Sequence, residues 1–219
     1  TQAKTLFPYT TLFRSTTTGT TAFPELDGLP RGTNMWRGFL NWAGGLGIIV
    51  VAMIFLPVMK VGGMQFFKSE GFDTLGKILP RAFDIAGEMT AVYCGITALC
   101  TLCYLFLGMD GYDALVLAMS TCSTGGFAQY DASFGGFIGP LEYVASFFMI
   151  LASIPFIRMV QLIRGSAQPL WRDVQVRAYL RWTFYAIAAI VAYRLFWLEA
   201  KHPLDVIRET TFNVISTFS

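Results

Sequence analysis

Apolar residues gather along the chain into four windows of about 20 residues, the length that crosses roughly 30 Å of hydrocarbon as a helix. They lie at about 38–59, 88–108, 137–163 and 178–198. The third window carries Pro140 near its start and Pro155 inside, which predicts a proline-initiated helix that kinks in its second half. Between the second and third windows, a shorter apolar piece at 112–121 is too short to cross and reads as a re-entrant helix. Its sequel is Ser120-Thr121-Cys122-Ser123-Thr124-Gly125-Gly126-Phe127, a run of small residues and glycine. Irregular backbone at membrane depth is tolerated only where protein buries it or it lines a water-filled path. The run therefore predicts an element of permeation.

Composition agrees with the windows. Hydrophobic residues make up 54% of the chain, aromatic residues 16% and charged residues 14%, with a mean hydropathy of +0.53, beyond what a soluble globular domain carries. The reading is an all-α integral membrane protein. A net charge of +2 is too small to imply nucleic acid, and the placement of the charges says more. Lys60, Lys68, Lys77 and Arg81 follow the first window, and Arg164, Arg172, Arg177 and Arg181 follow the third, with Arg158 just before. Residues 108–136 hold no Lys or Arg but do hold Asp110, Asp113 and Asp131. Basic connections face the cytoplasm, so the re-entrant helix and glycine run open outward under an acidic mouth that concentrates cations.

The pattern repeats. Thr16-Thr17-Thr18-Gly19-Thr20 precedes the first window as Cys122-Ser123-Thr124-Gly125-Gly126 precedes the third, and 205–219 reads as the start of another re-entrant helix. A parallel repeat of helix, re-entrant helix, glycine turn and helix is a construction that transport proteins use. The expected organisation is 1–15, an artefactual non-native segment; 16–59, a first filter turn and inner helix; and 60–87, a cytoplasmic connection. Residues 88–164 form a complete second unit, 165–177 a second cytoplasmic connection, and 178–219 an outer helix with the start of a pore helix. The stretch 1–15 has no signal-peptide order and resembles translated sequencing-adapter read-through, so the chain is read as a fragment.

The chemistry needs these residue types. A dehydrated monovalent cation must be given oxygens in place of water, and backbone carbonyls supply them without fixed charge, so that the ion binds yet leaves. Glycine lets successive carbonyls turn toward one axis, and the hydroxyl residues Thr17, Thr18, Ser123 and Thr124 add small volume that lets loops converge. A short helix ending at the turn places its partial negative charge toward a cation.

These stretches, together with Asn41-Trp42-Ala43-Gly44-Gly45-Leu46-Gly47-Ile48-Ile49-Val50, Val61-Gly62-Gly63-Met64-Gln65 and Asp131-Ala132-Ser133, resemble the Trk/Ktr/HKT superfamily of potassium transporters, most of all its bacterial TrkH type. The likeness runs from about residue 16 to 219. It implies repeated helix–pore loop–helix units of a potassium-channel-like transporter, a fragment of a four-unit pore. It also implies potassium uptake across the bacterial cytoplasmic (inner) membrane and no enzymatic activity. The resemblance puts the filter at Thr17, Thr18, Gly19, Thr20, Ser123, Thr124, Gly125 and Gly126. Potassium, the transported ion, would rest on the carbonyls of Thr17, Thr18, Gly19, Ser123, Thr124 and Gly125, with no covalently bound cofactor. Expected partners are membrane lipid, a second copy of the full-length protein and a cytoplasmic TrkA-like nucleotide-binding regulatory subunit. Serine at the first-unit glycine goes with sodium transport in the plant branch, so Gly19 favours potassium over a sodium-permeable or mixed transporter.

Plainer readings attach to several residues. Gly44, Gly45 and Gly47 lack the strand-then-helix context of a nucleotide loop and read as helix-packing residues. Cys94, Cys100, Cys103 and Cys122 read as small buried side chains, His202 as a solvated residue, and Asp110, Asp113 and Asp131 as a hydrated outer face. A membrane-embedded hydrolase would want a histidine base, or paired aspartates, inside the spans, and the sequence offers neither. A non-conducting packing subunit does not explain why the Thr-Gly turn recurs.

Overall fold

The first helix, α1 (Arg31–Met59), begins at Arg31 and not at the apolar boundary near 38, because its leading turns bury a polar stripe. Asn34, Arg37 and Asn41 follow helical spacing and are all buried. In this computed structural model the described residues are 28–59, 75–126, 128–130, 133–137, 139–166, 168–197 and 203–219, with the side chains at 48–59, 75–83, 133, 136, 169 and 197 outside that description. The rest of the order is α2 (Leu75–Phe106), α3 (Gly111–Cys122), a 3-10 turn (Ser133–Gly136), α4 (Pro140–Ser153) and α5 (Phe156–Ile163). After these come α6 (Gln168–Arg172), α7 (Val174–Trp197) and α8 (Pro203–Phe218). Among the described residues there is no strand.

The short helix α3 sits at the centre. It packs against α1, α2 and α4, while α8 packs on α4 and α7. The apolar core lies where α2, α3 and α4 meet, with Tyr93, Tyr104, Leu117, Cys122, Ala145 and Phe148 all buried. Large apolar side chains face outward instead: Phe106 is 88% exposed, Phe147 60% and Phe196 86%. A polar stripe inside and phenylalanines outside reverse the arrangement water imposes, as expected for a chain whose surroundings are lipid or further protein.

Four crossing helices were expected from the sequence. Among the described residues, one segment, Asp84–Phe106 within α2, is long and apolar enough to cross a bilayer. A second arises if α4 and α5 count as one span, though they meet at 97°. The helix α7 has 24 residues, ample in length, but carries Arg177, Arg181 and Arg194. The third window is thus two helices and not one kinked helix. Its helix starts at Pro140, and the break comes at Ile154, held extended at φ −78° and ψ 138° before Pro155. Proline disfavours helical backbone in the residue before it and has no N–H to donate.

Two helices end alike. At the end of α2 the Met109 amide donates to the Tyr104 carbonyl (3.1 Å) and the Gly108 amide to that of Leu105 (3.0 Å). At the end of α5 the Ser166 amide donates to Gln161 (3.0 Å) and that of Gly165 to Leu162 (3.0 Å). Each is a Schellman cap with glycine in the left-handed position, at φ 89° for Gly108 and 88° for Gly165.

Candidate site at the turn after helix α3

With 12 residues, α3 spans about 18 Å and cannot cross a bilayer. Ala114, Leu117, Ala118, Ser120, Thr121 and Cys122 on it are all buried. The helix runs on to Cys122, so Ser120, Thr121 and Cys122 of the glycine run are helical and the irregular backbone begins only at Ser123. There the amide of Gly125 donates to the Ser120 carbonyl (3.2 Å) and that of Thr124 to Thr121 (3.4 Å). This is a third Schellman cap, but its left-handed position holds Thr124, at φ 49°. A β-branched residue there is a genuine outlier. In the caps after α2 and α5 the same position is glycine, so the strain belongs to this turn alone among the three.

Gly126 follows at φ 57°, a second left-handed residue. Gly125 needs its glycine for another reason. A Cβ there would overlap the Nδ2 atom of Asn41 and lie 2.7 Å from its Cγ. Asn41, only 1% exposed, also donates from Nδ2 to the Ser123 hydroxyl at 3.2 Å. One turn farther along α1, a Cβ on Gly45 would stand 3.1 Å from the Cβ of Ser123 and 3.0 Å from the Tyr93 hydroxyl. Packing therefore does explain Gly45, whereas Gly47 has open space beside it among the described residues. The back of the turn is pressed against α1. Tyr93 donates to the Trp42 carbonyl (3.0 Å) and the Trp42 indole donates to Thr97 (3.0 Å), fixing α1 on α2.

The front of the turn opens on a cavity of about 310 Å³. Ser120, Thr121 and Thr124 line one side, and Asn213, Ser216 and Ser219 of α8 and the residue after it line the other. Hydroxyls, backbone and the Asn213 amide supply the polar groups here. Among the described residues, no three His, Cys, Asp or Glu side chains gather to hold a metal.

Toward the outer loop, Asp113 accepts from Gln129 Nε2 at 2.5 Å and from the Tyr130 hydroxyl at 2.9 and 3.1 Å. Asp113 is thus a tether for the loop beyond the turn and not merely hydrated surface. Partial burial, then the Asp113 carboxylate, push the Tyr130 phenol above its ordinary range, keeping it a donor. Gln129 in turn accepts through its carbonyl from Asn34 (3.4 Å), which itself accepts from Arg37 (2.6 Å).

The structure thus brings Ser123, Thr124, Gly125 and Gly126 into one strained turn. Thr17, Thr18, Gly19 and Thr20 lie outside the described residues, as do Phe127, Asp131, Ala132 and His202. The sequence reading missed Asn41 as a neighbour of the turn. Its signal was available: Asn34, Arg37 and Asn41 at helical spacing just ahead of an apolar window.

A family of sequences described as TrkH, cation transport protein, matches residues 3–198, a range that takes in most of the 1–15 stretch. The Trk system potassium uptake protein TrkI of Halomonas elongata is 38% identical over 203 residues, covering 92% of this chain and 41% of that protein. TrkH of Escherichia coli K12, a Trk system potassium uptake protein, is 33% identical over 205 residues, 92% of this chain and 42% of its own. The crystal structure of the potassium transporter TrkH from Vibrio parahaemolyticus superposes with a TM-score of 0.81 at 28% identity, over 95% of this chain and 42% of that one. The chain therefore spans about two fifths of the length of the relatives it matches. Match, identity and superposition agree: the chain belongs to the TrkH family of cation transport proteins, whose members are transporters and not enzymes, and is an integral membrane protein of helix–pore loop–helix fold.

Proposed function

We propose that this chain forms part of a potassium uptake protein of the cytoplasmic membrane, in which ions pass a filter of backbone carbonyls. The observation that carries the reading is the turn after α3. Its three leading amides fold back onto the helix, from Ser123 to Met119, Thr124 to Thr121 and Gly125 to Ser120. Amides committed inward leave the peptide oxygens of Ser123, Thr124 and Gly125 as the polar groups the turn has to offer. A dehydrated potassium ion needs such oxygens, and the C-terminal end of α3, equivalent to about half a negative charge, favours a cation beside it. Strain stored at Thr124 is what a functional turn is expected to hold. The relatives' names, Trk system potassium uptake proteins, support potassium as the cargo.

In this reading Thr17, Thr18, Gly19 and Thr20 form the equivalent turn of the first unit, 88–164 is the complete second unit and α8 is the pore helix of the third. A homodimer of the full-length transporter, a TrkA-like nucleotide-binding subunit on the basic cytoplasmic connections and surrounding lipid complete the proposed assembly. The test is Gly125→Ser in the full-length transporter containing this segment, reconstituted in vesicles and assayed for potassium against sodium flux. A fall in potassium preference is expected, since the added side chain must push the turn off Asn41. An unchanged ion preference removes the filter reading, and a wild-type protein that prefers sodium makes this a sodium-permeable or mixed transporter.

A further inference from the structure

The glycine at position 125 is not explained by its own backbone. Its φ lies outside the left-handed range, unlike those of Thr124 and Gly126, so an alanine could adopt the conformation. What forbids a side chain is Asn41, whose amide fills the volume where a Cβ would sit. Asn41 belongs to α1, the helix that in the proposed arrangement comes from the preceding unit, and it reaches the turn across 82 positions of sequence. The same amide donates to Ser123 Oγ, and Ser123 in turn donates to the Ser120 carbonyl at 3.2 Å. Behind it, Gly45 lets α1 come within van der Waals contact of Ser123, with no side chain to hold the helices apart. Among the described residues the other amide atom of Asn41, Oδ1, is buried and accepts nothing. A buried amide left half-satisfied is costly, and an aliphatic residue could fill the space, so packing alone is a poor account of an asparagine here.

We infer that Asn41 is a positioning residue for the candidate filter: a backstop from α1 that fixes where the Ser123–Gly125 turn stands and thereby sets how well the path discriminates between cations. This inference rests on the filter reading above. Carbonyl cages discriminate between cations through the spacing and field of their oxygens. A turn free to retreat by a few tenths of an ångström accommodates a wrong ion more readily. One hydrogen bond of ordinary strength is worth about 1 kcal/mol, which translates to about fivefold in a ratio of ion preference.

The experiment uses the full-length transporter containing this segment, reconstituted in vesicles, with potassium and sodium fluxes and the midpoint of thermal unfolding in detergent measured on each variant. Asn41→Ala is expected to lower potassium-over-sodium preference about fivefold while potassium still passes. Gly125→Ala is expected to lower both flux and potassium preference, as Gly125→Ser does, because its Cβ meets Asn41 and displaces the turn. The double variant Asn41→Ala/Gly125→Ala is expected to recover flux over Gly125→Ala, since the space is vacated, and to keep the lowered preference of Asn41→Ala. If Gly125→Ala does not fold, Ser123→Ala tests the same route: it deletes the acceptor, should lower preference as Asn41→Ala does, and should add nothing when the two are combined. A wild-type ion preference in Asn41→Ala overturns the inference, as does additivity of the Asn41 and Ser123 variants. Failure of the filter reading shows differently, as an ion preference unmoved by Gly125→Ser.

Discussion

Helix α8 is held to α4 by charge, and cutting that link has a calculable consequence. Arg208 Nε stands 2.6 Å from Glu142 Oε2, and its Nη1 stands 3.1 Å from Asp205 Oδ1. The side chains of Arg208 and Glu142 keep only 19% and 10% of their exposure, whereas Asp205 keeps 54%. Removing one partner of a fully buried pair costs about 3–5 kcal/mol, because the survivor is left charged and dry. Two features lower that figure here. The Arg208 Nε and Glu142 Oε2 atoms approach without the alignment of a hydrogen bond, and Glu142 lies in the first turn of α4, where the helix dipole favours an anion. Arg208→Leu is therefore expected to cost about 2–3 kcal/mol, while Glu142→Leu costs about 1–2 kcal/mol because Arg208 keeps Asp205. The apolar pair Glu142→Leu/Arg208→Leu is expected to be less damaging than the sum of the single changes by at least about 1 kcal/mol. The assay is thermal unfolding of the detergent-solubilised full-length protein at low and high salt. At about 1 °C per kcal/mol for a protein of the relatives' length, of which this chain matches 41%, Arg208→Leu should lower Tm by about 2–3 °C, and salt should barely change the difference, since the pair is largely screened from solvent. Additive single-site effects, or a difference that vanishes in salt, refute a buried ion pair between these helices.

The other expectations concern two unusual helix ends. Thr124→Gly removes a β-branched side chain from left-handed backbone and should stabilise the protein by about 1 kcal/mol, yet lower potassium-over-sodium preference by loosening the turn; a Tm that falls instead denies the strain. At the start of α7, Asp173 accepts from Arg158 Nε at 2.8 Å and from the Gln175 amide at 2.8 Å, as an N-cap does. The Arg158 guanidinium, then the Gln175 amide, hold its carboxyl below the usual range. A depressed carboxyl contributes stability at neutral pH that is lost as pH falls through its folded pKa, below the ordinary value of about 3.9. Asp173→Asn should therefore narrow the gap in Tm between pH 7 and pH 3, and an unchanged acid limb would deny Asp173 that role. Asp173→Ala should in addition cost about 1 kcal/mol at pH 7 through the lost cap.

How much of this was legible in the sequence depended on whether a residue's role was local. The short helix expected at 112–121 is found as Gly111–Cys122, and it announces itself by an apolar run too short to cross and a glycine pair after it. The break at Pro155 is equally local, since proline dictates its own φ and restricts its predecessor. Its 97° angle is not local, because the direction taken after Ile154 is set by α5 packing on α2. The start of α1 was misplaced for a related reason: Asn34 and Arg37 look like aqueous flank when hydropathy alone is read, but they are buried against the loop beyond the turn, bonded to Gln129 and to each other. Asp113 reads as solvated surface until Gln129 and Tyr130, 16 and 17 positions on, are seen to donate to it. Gly125 is the sharpest case. Sequence reading assigns its glycine to carbonyl geometry at the turn, whereas the structure assigns it to a neighbour's amide. A glycine demanded by its own φ is independent of the rest of the chain, but one demanded by Asn41 must change together with it. Enlarging position 125 therefore leaves the turn in place only where position 41 shrinks, which makes the pair, and not the glycine, the unit that specifies this turn.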